Sequence, residues 1–253
     1  MDQQPDSGLP GNVIRVGCAG WNIPRQSGEK FASGESHLVR YSQVFNCCEI
    51  NSSFYRPHKK ETWERWARSV PDGFQFSVKV PKAITHEAKL NCSRKVLSAF
   101  LEQIEFLGEK LGPVLLQLPP SLAFDPSSAT KFLSLLREKF SGDVVCEPRH
   151  GSWFCEPGDE LLREYQIARV AADPPCVPVA DHPGGSLSLV YFRLHGSPRR
   201  YYSAYEDDFL TKLAAKMGNL TSRRRAWCIF DNTASGHAVE NALELKAKLK
   251  HSG

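Results

Sequence analysis

Eight short apolar runs, bounded by Gly, Pro, Asp or Asn, are spread across nearly the whole chain, and no other feature constrains the fold as much. They read VIRVGCAGW (13–21), VFNCCEINS (44–52), GFQFSVKVP (73–81), GPVLLQLPP (112–120), DVVCEPRH (143–150), IARVAAD (167–173), LVYFRLHG (189–196) and RAWCIFDN (225–232). Each is rich in Val, Ile, Leu, Phe or Cys, the pattern of strands buried in a parallel sheet rather than of alternating surface strands. Most are separated by helical patterns: 59–70, 93–111, 125–140, 207–220 and 235–249. The segment 93–111 repeats apolar positions at helical spacing after a Ser93 cap, and 125–140 opens on Asp125 and Pro126. Eight strand–helix units in 253 residues suit an α/β fold of one kind, a single (β/α)8 TIM barrel over residues 13–249. The stretch 174–188 has no helical period, so a loop is expected to replace one helix of the ring.

Composition narrows the setting. No run of about 18 apolar residues exists, so no membrane span is expected. The opening MDQQPDSGLPGN is polar rather than basic-then-apolar; residues 1–12 are expected to be a disordered tail, not a signal peptide. The eight cysteines form no CxxC unit, and five lie inside expected strands, where a thiol behaves as a small hydrophobe. Free thiols and a cytoplasmic setting follow as expectations, with no disulfide, structural metal or cofactor. A net charge of +4 suits an anionic ligand or nucleic acid without singling out either. Arg223, Arg224 and Arg225 precede the eighth strand and are expected in a solvated turn on the face opposite the site.

In this architecture the active site lies at the carboxyl ends of the strands. Those ends carry Cys18, Glu49, Asn51, Lys79, Gln117, Glu147, Arg149, Asp173, Arg193, His195, Asp231 and Asn232. Residues two apart on a strand share a face, so Glu49 pairs with Asn51, Glu147 with Arg149, and Arg193 with His195. Burying such charges costs several kcal/mol unless they are paired or solvated. Three such pairs at one end of three strands read as the wall of a polar pocket; an internal ion-pair network, Glu147 with Arg193 for instance, is the competing explanation. Lys79, Arg149 and Arg193 suit a phosphate, a carboxylate or a sugar acid. Glu49 and Glu147 suit general acid–base work, with Lys79 and His195 as further catalytic candidates.

Aromatic and polar residues ring these ends. Trp21, Tyr55 and Trp153 are candidates to stack on a sugar or an unpaired base, with Phe54, Tyr201 and Tyr202 nearby. Asn51, His86, Gln117 and Asn232 complete the expected ligand contacts. The chain contains no GxxxxGK[ST], GxGxxG, HExxH or GxSxG motif.

At VGCAGW (16–21), EINSSFYRP (49–57), FQFSVKVPKAITH (74–86), GPVLLQLPPS (112–121), EPRHGSW (147–153), YFRLHG (191–196) and IFDNTASGHAVENA (229–242), the chain resembles the YecE-like family, the domain of unknown function numbered 72. Seven motifs in order cover roughly residues 13–249. The resemblance implies a TIM barrel and a bacterial-type cytoplasmic protein, and it supplies no activity. It marks as motif residues Trp21, Glu49, Asn51, Phe54, Tyr55, Lys79, His86, Gln117, Glu147, Arg149, Trp153, Arg193, His195, Gly196 and Asn232. That fold is similar to endonuclease IV and the xylose isomerases, an analogy at the level of fold; the histidine-rich three-metal pattern of endonuclease IV is absent. The segment after Trp21 and the region 174–188 also depart from the family wording.

Three functions fit these residues. One is an enzyme acting on an anionic, sugar-like or phosphorylated ligand. The second is a nucleic-acid-binding or repair protein that stacks a base on Trp21, Tyr55 or Trp153. The third is a catalytically silent barrel whose charges pair with one another.

Overall fold

Each apolar run folds as a strand because it can bury both faces at once. The computed structural model describes residues 14–221 and 225–251. The expected tail at 1–12, and Arg223 and Arg224, lie outside the described residues. The strands are β1 Ile14–Cys18, β2 Cys47–Ile50, β3 Gln75–Lys79, β4 Leu111–Gln117, β5 Val144–Glu147, β6 Ile167–Arg169, β7 Ala171–Asp173, β8 Gly184–Gly185, β9 Leu189–Leu194 and β10 Arg225–Phe230. They form two sheets, ordered β1-β10-β9-β7 and β2-β3-β4-β5-β6-β8, and every pairing is parallel except that of the two-residue β8 with β6.

The two sheets meet at two places. Ala19 and Glu49 form a parallel bridge between the end of β1 and β2, supported by Gly20 N–H donating to the Glu49 carbonyl at 2.8 Å. A Cβ on Gly17 would stand 2.2 Å from the Cys47 carbonyl oxygen, so this close approach requires glycine. At the other junction the sixth apolar run serves both sheets. Its first half, β6, pairs with β5, its second half, β7, pairs with β9, and Val170 lies between.

The helices are α1 His37–Ser42, α2 Lys60–Arg68, α3 Arg94–Ile104, α4 Pro126–Lys139, α5 Glu156–Glu164, α6 Asp207–Thr221 and α7 His237–His251. Two starts follow the expected caps: Ser93 accepts from Val96 N–H, and Asp125 accepts from Ser128 N–H at 2.9 Å with Pro126 next. The expected helix over 93–111 is shorter. It ends at Ile104, a 3-10 turn follows, Gly108 adopts φ 53°, and Leu111 already opens β4. Between β7 and β9 no α-helix forms; a 3-10 turn at Pro178–Asp181 and β8 fill the segment.

Strand alternation sorts the apolar side chains into two cores. The larger includes strand residues such as Val144, Cys146 and Phe192 and helix residues such as Leu101, Leu133 and Leu213. The smaller comprises Cys47, Leu115, Val145, Ala168, Val170, Leu189, Tyr191, Trp227 and Ile229. It draws on both sheets, and its members alternate with those of the larger core: Cys47 against Cys48, Val145 against Val144 and Cys146. At the amino-terminal end, Arg225 pairs with Asp143 at 2.6 Å.

Candidate functional site

Two residues beyond five members of the small core stand five polar side chains: Glu49 after Cys47, Gln117 after Leu115, Glu147 after Val145, Arg193 after Tyr191 and Asp231 after Ile229. The two-residue period keeps them on the same face, so a polar layer caps the small apolar core at the carboxyl ends of the strands. Register aligns it further. Glu147 lies opposite Gln117 and Glu49 opposite Ser77, two residues before Lys79.

Arg193 is the centre of this layer. Its Nε donates to both Glu49 oxygens at 3.1 and 3.0 Å, and its Nη2 donates to Glu49 Oε1 at 2.7 Å. Nη1 reaches Glu147 Oε2 at 3.2 Å and Nη2 reaches Asp231 Oδ2 at 3.1 Å. Glu49 also accepts from Tyr191 Oη at 2.9 Å, which lies 3.0 Å from Ser77 Oγ. Glu147 accepts from Gln117 Nε2 at 3.0 Å and from Arg149 Nη1 at 2.9 Å. His195 bridges the last two carboxylates, with Nε2 2.7 Å from Glu147 Oε1 and Nδ1 2.9 Å from Asp231 Oδ2. Both ring nitrogens thus face acceptors, and satisfying both requires two N–H groups or a proton on one carboxyl. Asn51 Nδ2 approaches Asp231 Oδ1 at 3.4 Å, while Asn51 Oδ1 is buried without a hydrogen-bond partner.

The formal charges cancel, Glu49, Glu147 and Asp231 against Lys79, Arg149 and Arg193, before any proton on His195. All are buried, and Glu49, Glu147 and Arg193 are fully so. Burial opposes ionisation of Glu147, yet His195, Arg193 and Arg149 overcome it and hold the carboxyl well below its usual range. Burial likewise opposes the charge on Asp231, and Arg193 and His195 bring that carboxyl down. Arg193 is desolvated, but Asp231, Glu49 and Glu147 keep its guanidinium firmly charged. Burial, with Glu49 beside it, pushes the Tyr191 phenol far up.

Lys79 differs from its neighbours. Among the described residues its ammonium has no hydrogen bond or ion pair, and it stands 4.1 Å above the Phe54 ring. Burial and then the charge of Arg193 push its amine down to about 8, against the pull of Glu49, Asp231 and Glu147. Phe54 also meets His86 edge-on at 4.9 Å and Tyr55 at 5.0 Å. Desolvation and the Lys79 charge lower His86. Tyr201 closes the other side, its ring 5.8 Å from His195 and its backbone at φ 69°.

Several residues expected at the site have other employment. Trp153 is 2% exposed, its indole N–H donates to the Leu122 carbonyl at 3.0 Å, and Phe124 packs on it. Trp21 is half-buried against Trp66 and Phe76. Of the three rings expected to stack a base, only Tyr55 is fully presented, at 72% exposure. Asn232 points away from the polar layer by alternation, and its Nδ2 holds Ser203 and Asn241 at 3.0 Å. Asp173 pairs in register with Leu194 rather than Arg193, and its carboxylate accepts from Tyr205 Oη at 2.8 Å. Arg193, expected to hold a ligand anion, has its donors engaged by three carboxylates. Conversely, Tyr191 and Ser77 belong to the cluster and are not among the expected site residues, and Asp231, expected only as a strand-end residue, is one of its three carboxylates. Part of the signal lies in the sequence, since Asp231 is two residues past apolar Ile229; its place beside His195 follows from the β9–β10 register, which sets Phe230 beside Leu194.

Among the described residues no helix is long and apolar enough to cross a membrane. All eight cysteines are free.

Comparison with known proteins places the chain in a family. The UPF0759 protein YecE of Escherichia coli K12 is 30% identical over 169 residues, 64% of this chain and 59% of that protein, so the match spans less than two thirds of the relative. The UPF0759 protein YunF of Bacillus subtilis 168 is 23% identical over 92% of this chain and 93% of its own length. The crystal structure of a DUF72 family protein from Thermotoga maritima MSB8 superposes with a TM-score of 0.79 at 27% identity, covering 94% of this chain and 99% of that one. One from Enterococcus faecalis V583 gives 0.77 at 23% identity, covering 94% and 96%, a likeness of fold. The family model described as "Protein of unknown function DUF72" matches residues 15–253, and the chain belongs to that family.

Proposed function

We propose that the polar layer is the floor of a binding site for a small anionic ligand, sugar-like or phosphate-containing, with Lys79 and Arg149 as the anion contacts and Arg193 as an internal strut. The observation that carries this reading is Lys79: every neighbouring charge has a close counter-ion, and the Lys79 ammonium has none among the described residues. A buried cation with no counter-ion in contact is costly, and an incoming anion would relieve that cost. Arg149, with one ion pair through Nη1, is the second candidate contact. The partnerless Asn51 Oδ1 suits a ligand hydroxyl. Glu147, held firmly ionised by His195, Arg193 and Arg149, is a weak base and serves to orient its neighbours rather than to carry protons.

The same reading makes the two sheets one closed (β/α)8 barrel with this layer at its mouth. It is supported by the Ala19–Glu49 bridge, by the split sixth run and by a small core shared between both sheets.

Calorimetric titration with inorganic phosphate and a sugar phosphate, against the neutral sugar, tests the site. The anions should bind and the neutral sugar should not. Lys79→Met should weaken them about 10- to 150-fold, the loss of one charge-assisted hydrogen bond of about 1.5–3 kcal/mol. Equal binding by the variant, or no binding by the parent, refutes the reading.

A further inference from the structure

The Lys79 amine has a second property that anion binding does not use. It ends β3 and is held rigidly: its carbonyl accepts from Ser53 Oγ at 2.7 Å, and the next residue, Val80, donates to Leu115 O at 2.9 Å. Its nitrogen is not tied down by any carboxylate, yet its surroundings are rich in charge. Glu49 of β2, Glu147 of β5, Arg193 of β9 and Asp231 after β10 all act on it, and His86 flanks it from the turn that follows β3.

We propose that Lys79 is an amine nucleophile that forms an imine with the carbonyl carbon of an anionic ligand such as a 2-oxo acid or a keto-sugar phosphate. This rests on the anion-site reading, with Arg149 holding the anionic group and the carbonyl presented to Nζ.

The chemistry needs no outside reagent. The neutral amine lone pair attacks the carbonyl carbon, forming the N–C bond while the C=O π pair moves to oxygen. The nitrogen loses a proton and the oxygen gains one, giving a carbinolamine. A second proton reaches that oxygen, water leaves, the nitrogen pair forms C=N, and the nitrogen releases its remaining proton, which balances the one taken up. The sum is amine plus carbonyl giving imine plus water. The chain Glu147–His195–Asp231 lies in the same polar layer, and the charges of Glu147 and Asp231 act on Lys79. A lysine nucleophile is activated by desolvation and by a neighbouring cation, and Lys79 has both. An amine near 8 rather than 10.5 is neutral about 300 times more often at pH 7. The expected selectivity over solvent lysines follows from that ratio.

Reductive trapping is the direct test. The full chain is incubated with pyruvate in one arm and dihydroxyacetone phosphate in the other, each with sodium cyanoborohydride. The hydride adds to the imine carbon and leaves a stable secondary amine, read by intact mass and located by peptide mapping. Exposed Lys59 and Lys95 serve as internal controls. A single adduct on Lys79, at least tenfold above those controls at pH 7, supports the proposal, and the arm that reacts tells a carboxylate from a phosphate ligand. Lys79→Arg, which keeps a cation and cannot form an imine, should lose the adduct while control labelling persists. Labelling of Lys79 no greater than the controls in both arms overturns it. Phosphate titration of the same protein separates the two readings: phosphate binding without an adduct overturns the imine and leaves the anion site standing, whereas an adduct without phosphate binding does the reverse.

Discussion

Replacing Arg193 by Met removes the guanidinium at the centre of the polar layer and keeps most of its volume, so the loss is electrostatic rather than a cavity. Three carboxylates lose a donor at once, at 2.7 Å for Glu49, 3.2 Å for Glu147 and 3.1 Å for Asp231. Breaking a buried pair by removing one partner costs about 3–5 kcal/mol, because the remaining charge stays buried. Glu147 keeps Arg149 and His195, and Asp231 keeps His195, whereas Glu49 keeps only the Tyr191 hydroxyl among close donors. The loss should therefore fall within about 3–5 kcal/mol, a drop in Tm of about 6–20 °C for a domain of this size. Guanidinium unfolding of both proteins, with the m-value checked for constancy, measures it. The pH dependence has a definite sign. Glu147 and Asp231 are held below their ordinary range, so their contribution to stability is present above about pH 4 and is lost as pH falls through the folded values. Without Arg193 that depression shrinks, a carboxyl takes up its proton at higher pH, and the variant loses less on acidification. Its deficit should hold steady from pH 7 to about pH 5 and narrow as pH falls below about 4, where the parent loses that contribution. A deficit under about 1 kcal/mol, or one that widens on acidification, would show that Arg193 does not hold the layer together.

Two further outcomes follow from the same geometry. Tyr191→Phe removes the hydroxyl that Glu49 accepts and that lies against Ser77, both buried, and should cost about 1–3 kcal/mol in chemical unfolding; a neutral result would mean that Glu49 does not need the donor. Thiol titration should find Cys155 reactive in the native protein, Cys92 and Cys176 slower, and Cys18, Cys47, Cys48, Cys146 and Cys228 silent until denaturant is added, since burial also pushes the Cys18 thiol up to about 12. Rapid native reaction of all eight would contradict the burial of β1, β2, β5 and β10.

The strands and the polar layer at their carboxyl ends were legible in the sequence. Apolar runs and their bounding Gly, Pro and Asp are local signals, and the period of two identifies which residues share a face. Cys47 and Glu49, Val145 and Glu147, Tyr191 and Arg193 all follow it. Asp231 follows the same rule, whereas its neighbour Asn232, expected as a ligand contact, has its amide engaged by Ser203 and Asn241. The aromatic rim was the least legible part. Trp153 and Tyr55 both follow strand ends, yet one is 2% exposed and the other 72%. Which ring turns inward depends on the loop that covers it, here Leu122 and Phe124 from the segment after β4.

The sequence by itself determined eight strand positions, most of the helices between them and a charged layer two residues beyond an apolar one, because each of these depends on residues near one another in the chain. Only the tertiary structure decided how the charges are shared. Arg193 meets Glu49 across 144 positions and His195 meets Glu147 across 48, and these partnerships depend on strand register and on the two sheets sharing one core. Local periodicity can place six charges on one face; it cannot say that five of them find partners there and that Lys79 does not.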